Sequence, residues 1–183
     1  MHLRYRRKPP RHSTLSALVF IGVVCVLPAF VNAEQTLTGR SVEFSVQTYN
    51  DPQNPFFAGR VHKAIVSEGI EFGLGREGAQ NNMDVVPILV DIDENSIEIS
   101  FSISDPGILA SARFNGYIIK FPTDCALLRG ARIDQDNTNV EIDNKRISND
   151  ATTVMVNVSG LRNDRTSRIA VDLDVRDCPL FSS

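Results

Sequence analysis

A strict alternation of apolar and polar residues in four separate segments is the strongest constraint on how this chain folds. Nearly every second residue is apolar in 41–48, and the same pattern recurs in 96–103, 153–159 and 168–175. This period of two is typical of a strand that has one face in a core and the other in water. Each of the four segments therefore predicts a half-buried β-strand.

Two further segments, 85–92 and 114–121, are richer in apolar residues and predict strands that lie more centrally. Pro87 places the first of them at a sheet edge or near the start of its strand, because proline has no N–H to donate. A short polar turn at 93–96 makes 85–103 a predicted β-hairpin. Short strands between turns predict an all-β antiparallel β-sandwich, either jelly-roll or immunoglobulin-like.

The N-terminus has the layout of an export signal. A basic segment, 4–11, precedes the apolar run 15–30 and the small-residue ending at 31–33. This order predicts a signal peptide over 1–33, cleaved after Ala33, and a single β-sandwich domain over 34–183. A retained membrane anchor is the alternative, since the apolar run approaches the roughly 17 residues that a spanning helix needs. After cleavage no membrane span is expected.

Cleavage at this position would make the chain distinctly acidic. The segment 1–33 contains five basic residues and no acidic one, so its loss changes the formal net charge from −3 to −8. Nucleic acids and anionic membrane surfaces both require a basic patch on the protein. The charge therefore argues against nucleic acid as a partner and leaves a protein or a glycan.

Two cysteines, Cys125 and Cys178, lie outside the predicted signal. An oxidising compartment favours their pairing, so we expect a disulfide bond in a periplasmic or secreted protein. A reactive thiol pair is the alternative, but the two cysteines lack the C-x-x-C spacing of redox motifs.

The stretch 133–145 has the composition of a calcium loop. An EF-hand needs a bidentate glutamate at its twelfth position, which counted from Asp134 is Lys145, so that motif is excluded. The pattern favours a polar loop in which Asx side chains bond their own backbone. An irregular calcium site is the alternative, and its candidate ligands are Asp134, Asp136, Asn139 and Glu141.

Few residues suggest catalysis or a resident cofactor. His62 is the one histidine outside the predicted signal, and we expect it on the surface of a strand. The segment 73–78 matches G-x-G-x-x-G, but no helical period follows it, as a dinucleotide site would require. Phe56 and Phe57 are expected to close one end of the sandwich, with an exposed recognition tip as the alternative. We therefore expect a non-catalytic domain without a cofactor.

The succession "GIEF", "ILVDIDENSIEISF", "FNGYIIKF" and "VMVNVSGL" to "IAVDLDV" is similar to small exported bacterial β-sandwich domains of unknown function. Some of those domains are carried by proteins with sorting tails. The resemblance implies the architecture and no catalytic motif. We expect an exported binding or structural module of the cell envelope or extracellular space. A small carboxylate-based hydrolase and a calcium-stabilised interaction module are the alternatives.

Overall fold

The computed structural model describes residues 36–74, 86–176 and 178, all of which belong to one compact unit. The predicted signal peptide lies outside these residues. The described strands run in this order: β1 (Ser41–Tyr49), β2 (Phe57–Ala58), β3 (His62–Ile65), β4 (Phe72–Leu74), β5 (Ile88–Ile92), β6 (Ser96–Ser100), β7 (Gly107–Ile108), β8 (Phe114–Lys120), β9 (Leu128–Ile133), β10 (Ile147–Asn149), β11 (Thr153–Asn157), β12 (Arg162–Asn163) and β13 (Arg168–Val175). A 3-10 turn, Asn144–Arg146, precedes β10. Within the described ranges, no helix has the length and apolar character that crossing a membrane requires.

The strands form two main antiparallel sheets, which confirms the predicted all-β sandwich. One sheet has the order β10-β11-β8-β1, and both β2 and β3 pair with the far side of β1. The other has the order β4-β5-β6-β13-β9, and β7 with β12 forms a small separate ladder. The predicted hairpin is the β5–β6 pair, and Pro87 directly precedes the first residue of β5.

One hydrophobic core fills the space between the two sheets. Residues of both sheets contribute to it, among them most apolar members of the alternating segments, and residues of the connecting loops such as Leu37, Leu127 and Leu161 complete it. The fully buried ring of Phe44 in β1 lies 5.2 Å from that of Phe72 in β4 and 5.9 Å from that of Tyr117 in β8. This aromatic stack joins the two sheets across the core. Complete burial also raises the pKa of the Tyr117 hydroxyl far above its usual value.

Gly116 allows an unusually close approach of β8 to β11. The glycine pairs with Gln47 on one side and with Asn157 on the other. A Cβ at this position would overlap the carbonyl oxygen of Val156 and lie 3.0 Å from its carbonyl carbon. The absence of a side chain is therefore a steric requirement of this sheet.

The predicted disulfide bond is present and joins Cys125 to Cys178, with 6.3 Å between their Cα atoms. Cys125 lies between β8 and β9, and Cys178 follows β13. The carbonyl of Cys178 also accepts a hydrogen bond from the guanidinium group of Arg40, just before β1. The end of β13 is thus tied to two distant parts of the chain.

The outer face of the second sheet places two carboxylates opposite each other. Asp91 in β5 is the cross-strand partner of Glu98 in β6. Partial burial, reinforced by the nearby charge of Asp93, raises the pKa of Asp91. Glu98 is an ion-pair partner of Arg168, 3.5 Å away, whereas Asp91 takes part in no salt bridge among the residues that the structure describes. The ionised form of Asp91 is therefore disfavoured in the folded state.

Replacing Asp91 with asparagine should stabilise the domain at neutral pH. Removing this partly buried charge, which lies near Asp93 and opposite Glu98, adds about 0.5 kcal/mol to the free energy of unfolding, which is roughly 1–2 °C in Tm for a domain of this size. Because the folded pKa is raised, the penalty exists above that pKa and disappears as the pH falls below the unfolded value. The gain, followed by thermal melting at neutral and at acidic pH, should therefore vanish in acid.

The matched control for this change is Asp174→Asn. Asp174 is an exposed carboxylate of the same sheet that already pairs with Arg129 at 2.7 Å. Its replacement should give no gain in Tm, because it removes an attraction instead of a repulsion. Equal gains from both variants would show that the net charge of the face matters and the Asp91 position does not.

Candidate functional site

The loop after β9 is organised by Asp134. Its carboxylate accepts hydrogen bonds from the backbone N–H of Asp136 at 3.0 Å and of Asn137 at 3.3 Å, and from Nδ2 of Asn137 at 2.6 Å. These bonds, the one from the Asn137 side chain above all, lower the pKa of Asp134. The carboxylate is thus occupied in holding a turn, as a polar loop with Asx turns requires.

Asn139 anchors the same loop to the start of β13. Its Nδ2 donates to the carbonyl of Thr166 at 2.7 Å, and its Oδ1 accepts from the N–H of Arg168 at 2.7 Å. Thr138 adds a second anchor, since its hydroxyl accepts from the N–H of Ala170 at 2.9 Å. Two consecutive loop residues, Thr138 and Asn139, therefore hold the loop to the start of β13.

The four calcium candidates, Asp134, Asp136, Asn139 and Glu141, all lie in this loop. Asp136 and Glu141 are exposed, whereas Asp134 and Asn139 use their side-chain oxygens in the bonds above. Among the residues that the structure describes, no three His, Cys, Asp or Glu side chains are grouped to hold a metal ion. The irregular calcium site stays the alternative to a polar loop, and melting experiments can test it.

Chelation of calcium should leave the thermal midpoint of this domain unchanged, because Asp134 and Asn139 already bond within the protein. Thermal melts in saturating calcium and in chelator provide the measurement. A site with calcium at a hundred times its Kd would add about 2.7 kcal/mol to the folded state. A rise of several degrees with calcium would thus establish an irregular site and support the calcium-stabilised alternative.

A polar cavity of about 900 Å³ opens between this loop and the segment 160–167. One wall comes from the loop and the 3-10 turn after it, and the other from β12 and the turn that leads into β13. The charged side chains are Glu141, Asp143 and Arg146 on the first wall and Arg162 and Asp164 on the second, where Asn163 also lies.

Most polar groups of these walls are fixed by bonds within the protein. Oδ1 of Asp164 accepts from the N–H of Thr166 at 2.8 Å and from its hydroxyl at 2.7 Å, and the hydroxyl bond is the largest cause of the lowered pKa of Asp164. Asn163 is buried and donates to the hydroxyl of Ser104 at 3.1 Å. Arg146 donates to the carbonyl of Ser159 at 2.8 Å. The cavity is therefore formed before any ligand arrives.

Two charged side chains of the cavity make no such hydrogen bonds within the protein. Glu141 and Arg162 are both exposed, and within the described part of the chain neither has a hydrogen-bond or ion-pair partner, including the other. Ile142 and Leu161, each 8% exposed, also line the cavity and add a small apolar surface. The cavity thus offers a free anion, a free cation and some apolar surface.

Sequence reasoning identified Glu141 and Asn139 but missed Arg162. The segment that contains Arg162 has turn composition, and its meeting with the loop after β9 depends on how both are held by β13. A polar segment of this kind carries no signal for which other loop it faces. The local sequence therefore held no signal that Arg162 belongs to this cavity.

A smaller apolar cleft lies beside the start of β2. It measures about 220 Å³, and its lining includes Phe56, Phe57, Val86 and Tyr117. Phe57 is 8% exposed and belongs to the core, whereas Phe56 is 64% exposed at the rim. The expectation that both phenylalanines close the sandwich end is therefore right for Phe57 and wrong for Phe56.

His62 lies on β3 and differs from the surface histidine that was expected. The register places it opposite the buried Phe44, so its side chain is on the inward face and half-buried. His62 lines neither of the two cavities. The polar cavity has Glu141, Asp143 and Asp164 as carboxylates, but Asp143 accepts from the N–H of Lys145 at 2.9 Å and Asp164 holds its own turn. No Ser-His-Asp arrangement involves His62 at these cavities.

Comparison with known proteins does not assign a function to this cavity. No protein-family model matches the chain, and searches of curated proteins and of solved structures found no match either.

Proposed function

We propose that this chain is an exported, non-catalytic β-sandwich that binds a ligand in the polar cavity between the loop after β9 and the segment 160–167. The observation that carries the proposal is the pair Glu141 and Arg162, which share one preformed cavity and remain unpaired there within the described residues. Preformed cavities with a few convergent polar groups are typical of ligand sites.

Export is supported by the N-terminal segment 1–33 and by the disulfide bond between Cys125 and Cys178. Disulfides persist in oxidising compartments such as the periplasm and the extracellular space. We therefore place the module in the cell envelope or outside the cell. The resemblance to small exported bacterial β-sandwich domains fits the same location.

Capture experiments with matched variants test this function. The purified protein is incubated with its own envelope and medium fractions, re-isolated, and examined by mass spectrometry for bound macromolecules and small molecules. The double variant Glu141→Gln/Arg162→Gln should lose whatever the unmodified protein retains. The control variant Glu94→Gln/Arg176→Gln changes an exposed acid and an exposed base away from the cavity, and it should retain the same molecules.

Two results would contradict the proposal. Identical capture by the unmodified protein and the cavity variant would show that the cavity is not the binding site. Turnover of a captured molecule, lost in the cavity variant, would favour the hydrolase alternative.

A further inference from the structure

We propose that the ligand of the polar cavity is a small zwitterion, of the class formed by free amino acids and short unblocked peptides. Its ammonium group would pair with Glu141 and its carboxylate with Arg162. This inference rests on the proposed function, because it names the ligand class of the same cavity.

The charges of Glu141 and Arg162 limit which ligands the cavity can bind. Glu141 and Arg162 line one cavity but form no ion pair with each other. A guanidinium group binds a carboxylate through two parallel N–H donors, and a carboxylate binds an ammonium group through charge-assisted hydrogen bonds. A ligand with one charge would satisfy one of these side chains and bring its charge near the like charge of the other. A ligand with both charges satisfies the pair.

The surrounding residues favour a net-neutral ligand for the same reason. Asp143 and Asp164 contribute two more negative charges to the walls, and Arg146 contributes one more positive charge. Each of these three is already hydrogen-bonded to neighbouring protein groups. The mixed charge of the walls gives no strong preference for either an anion or a cation, whereas a zwitterion interacts with both signs.

Size and lining limit the class further. A volume of about 900 Å³ falls within the roughly 300–1,000 Å³ of small-molecule sites, which leaves space for a peptide of a few residues. Val140, Ile142 and Leu161 provide apolar surface for aliphatic side chains. None of the described residues that line the cavity is aromatic, so a sugar ring finds no aromatic face to stack on. These features favour a peptide over a glycan.

Isothermal titration calorimetry on the purified full chain tests the class directly. The probes are leucine, Leu-Leu and Leu-Leu-Leu, the N-acetylated and the C-amidated forms of the tripeptide, and maltotriose as a polar neutral sugar. At least one unblocked probe should bind, and blocking either end of the tripeptide should weaken its binding by about tenfold or more, the effect of losing one charge-assisted hydrogen bond. Comparison of the first three probes separates free amino acids from peptides.

A double-mutant cycle assigns each end of the ligand to its partner. In Glu141→Gln, acetylation of the amine should cause no further loss, whereas amidation of the carboxylate should still weaken binding. In Arg162→Gln, amidation of the carboxylate should cause no further loss, whereas acetylation of the amine should still weaken binding. Circular dichroism and thermal melting of both variants check that they fold, and Glu94→Gln and Arg176→Gln serve as controls that should bind like the unmodified chain.

Failure of this inference is distinguishable from failure of the proposed function. Binding of maltotriose, equal binding of blocked and unblocked peptides, or absence of binding by every probe would overturn the zwitterion assignment. If the capture experiment still shows a molecule that the cavity variant loses, the binding function stands with a different ligand class. If capture is also unaffected by the variant, both proposals fail.

Discussion

Replacement of Gly116 with alanine is expected to lower the free energy of unfolding by about 3 kcal/mol or more. The added Cβ would collide with the backbone of Val156 and lie 3.1 Å from Cα of Asn157. Backbone atoms of a paired strand cannot move aside without breaking the ladder between β8 and β11. Urea denaturation followed by circular dichroism measures the loss, and a variant that does not fold at all is the extreme of the same result.

Gly69→Ala provides the matched control. A Cβ built at Gly69 meets no atom within 4 Å, so its effect should stay within about 0.5 kcal/mol. The difference between the two variants isolates the steric term from the general change in backbone entropy that any Gly→Ala replacement brings. Similar losses at both positions would show that the close approach at Gly116 is not what constrains the sheet.

Removal of the disulfide bond by Cys125→Ala/Cys178→Ala should destabilise the domain by about 4 kcal/mol, or roughly 10 °C in Tm. The bond closes a long loop, since the two cysteines are 53 positions apart in sequence. Opening that loop increases the entropy of the unfolded chain. It also releases the segment after β13, where the carbonyl of Cys178 accepts a hydrogen bond from Arg40. Thermal melting of the variant gives the size of the loss.

Reduction provides the control for the cysteine variant. A thiol reductant should lower the midpoint of the unmodified protein toward that of the double variant and should leave the variant itself unchanged. The double variant should retain the far-ultraviolet circular dichroism of a β protein at low temperature, because the core between the sheets remains. A midpoint that neither treatment shifts would show that the cross-link adds no stability.

The proposed binding site depends on β13 for its position in the fold. The loop after β9, which forms one wall of the cavity, is held by hydrogen bonds to the start of β13 and to the turn before it. β13 is an interior strand, paired with β6 on one side and β9 on the other. This wall thus depends on the start of β13, whereas the disulfide bond ties the segment after the opposite end of that strand.

Much of the architecture could be predicted from local patterns. Alternation of apolar and polar residues located β1, β6, β11 and β13, because a strand between a core and water must repeat with a period of two. The apolar run before the turn at 93–96 and the alternating run after it predicted the β5–β6 hairpin, whose pairing is confirmed. The cysteine pairing followed from the compartment that the N-terminus predicts.

The parts that failed depend on contacts between distant segments. His62 lies inward because the register of β3 on β1 places it opposite Phe44, and a short alternating segment does not reveal which of its faces meets the core. Phe56 and Phe57 are adjacent in sequence, but the pairing of β2 with β1 buries one and exposes the other. Neither outcome has a signature in the local sequence.

By itself, the sequence determined the class of fold, the six strands with regular apolar patterns and the cysteine pair, because periodicity and covalent chemistry are local properties of a chain. The tertiary structure alone decided that Gly116 must lack a side chain and that Glu141 and Arg162 share a cavity. Both facts depend on which strands become neighbours. The burial of the whole core decides which strands become neighbours. Every segment contributes to that core, and no single segment encodes it.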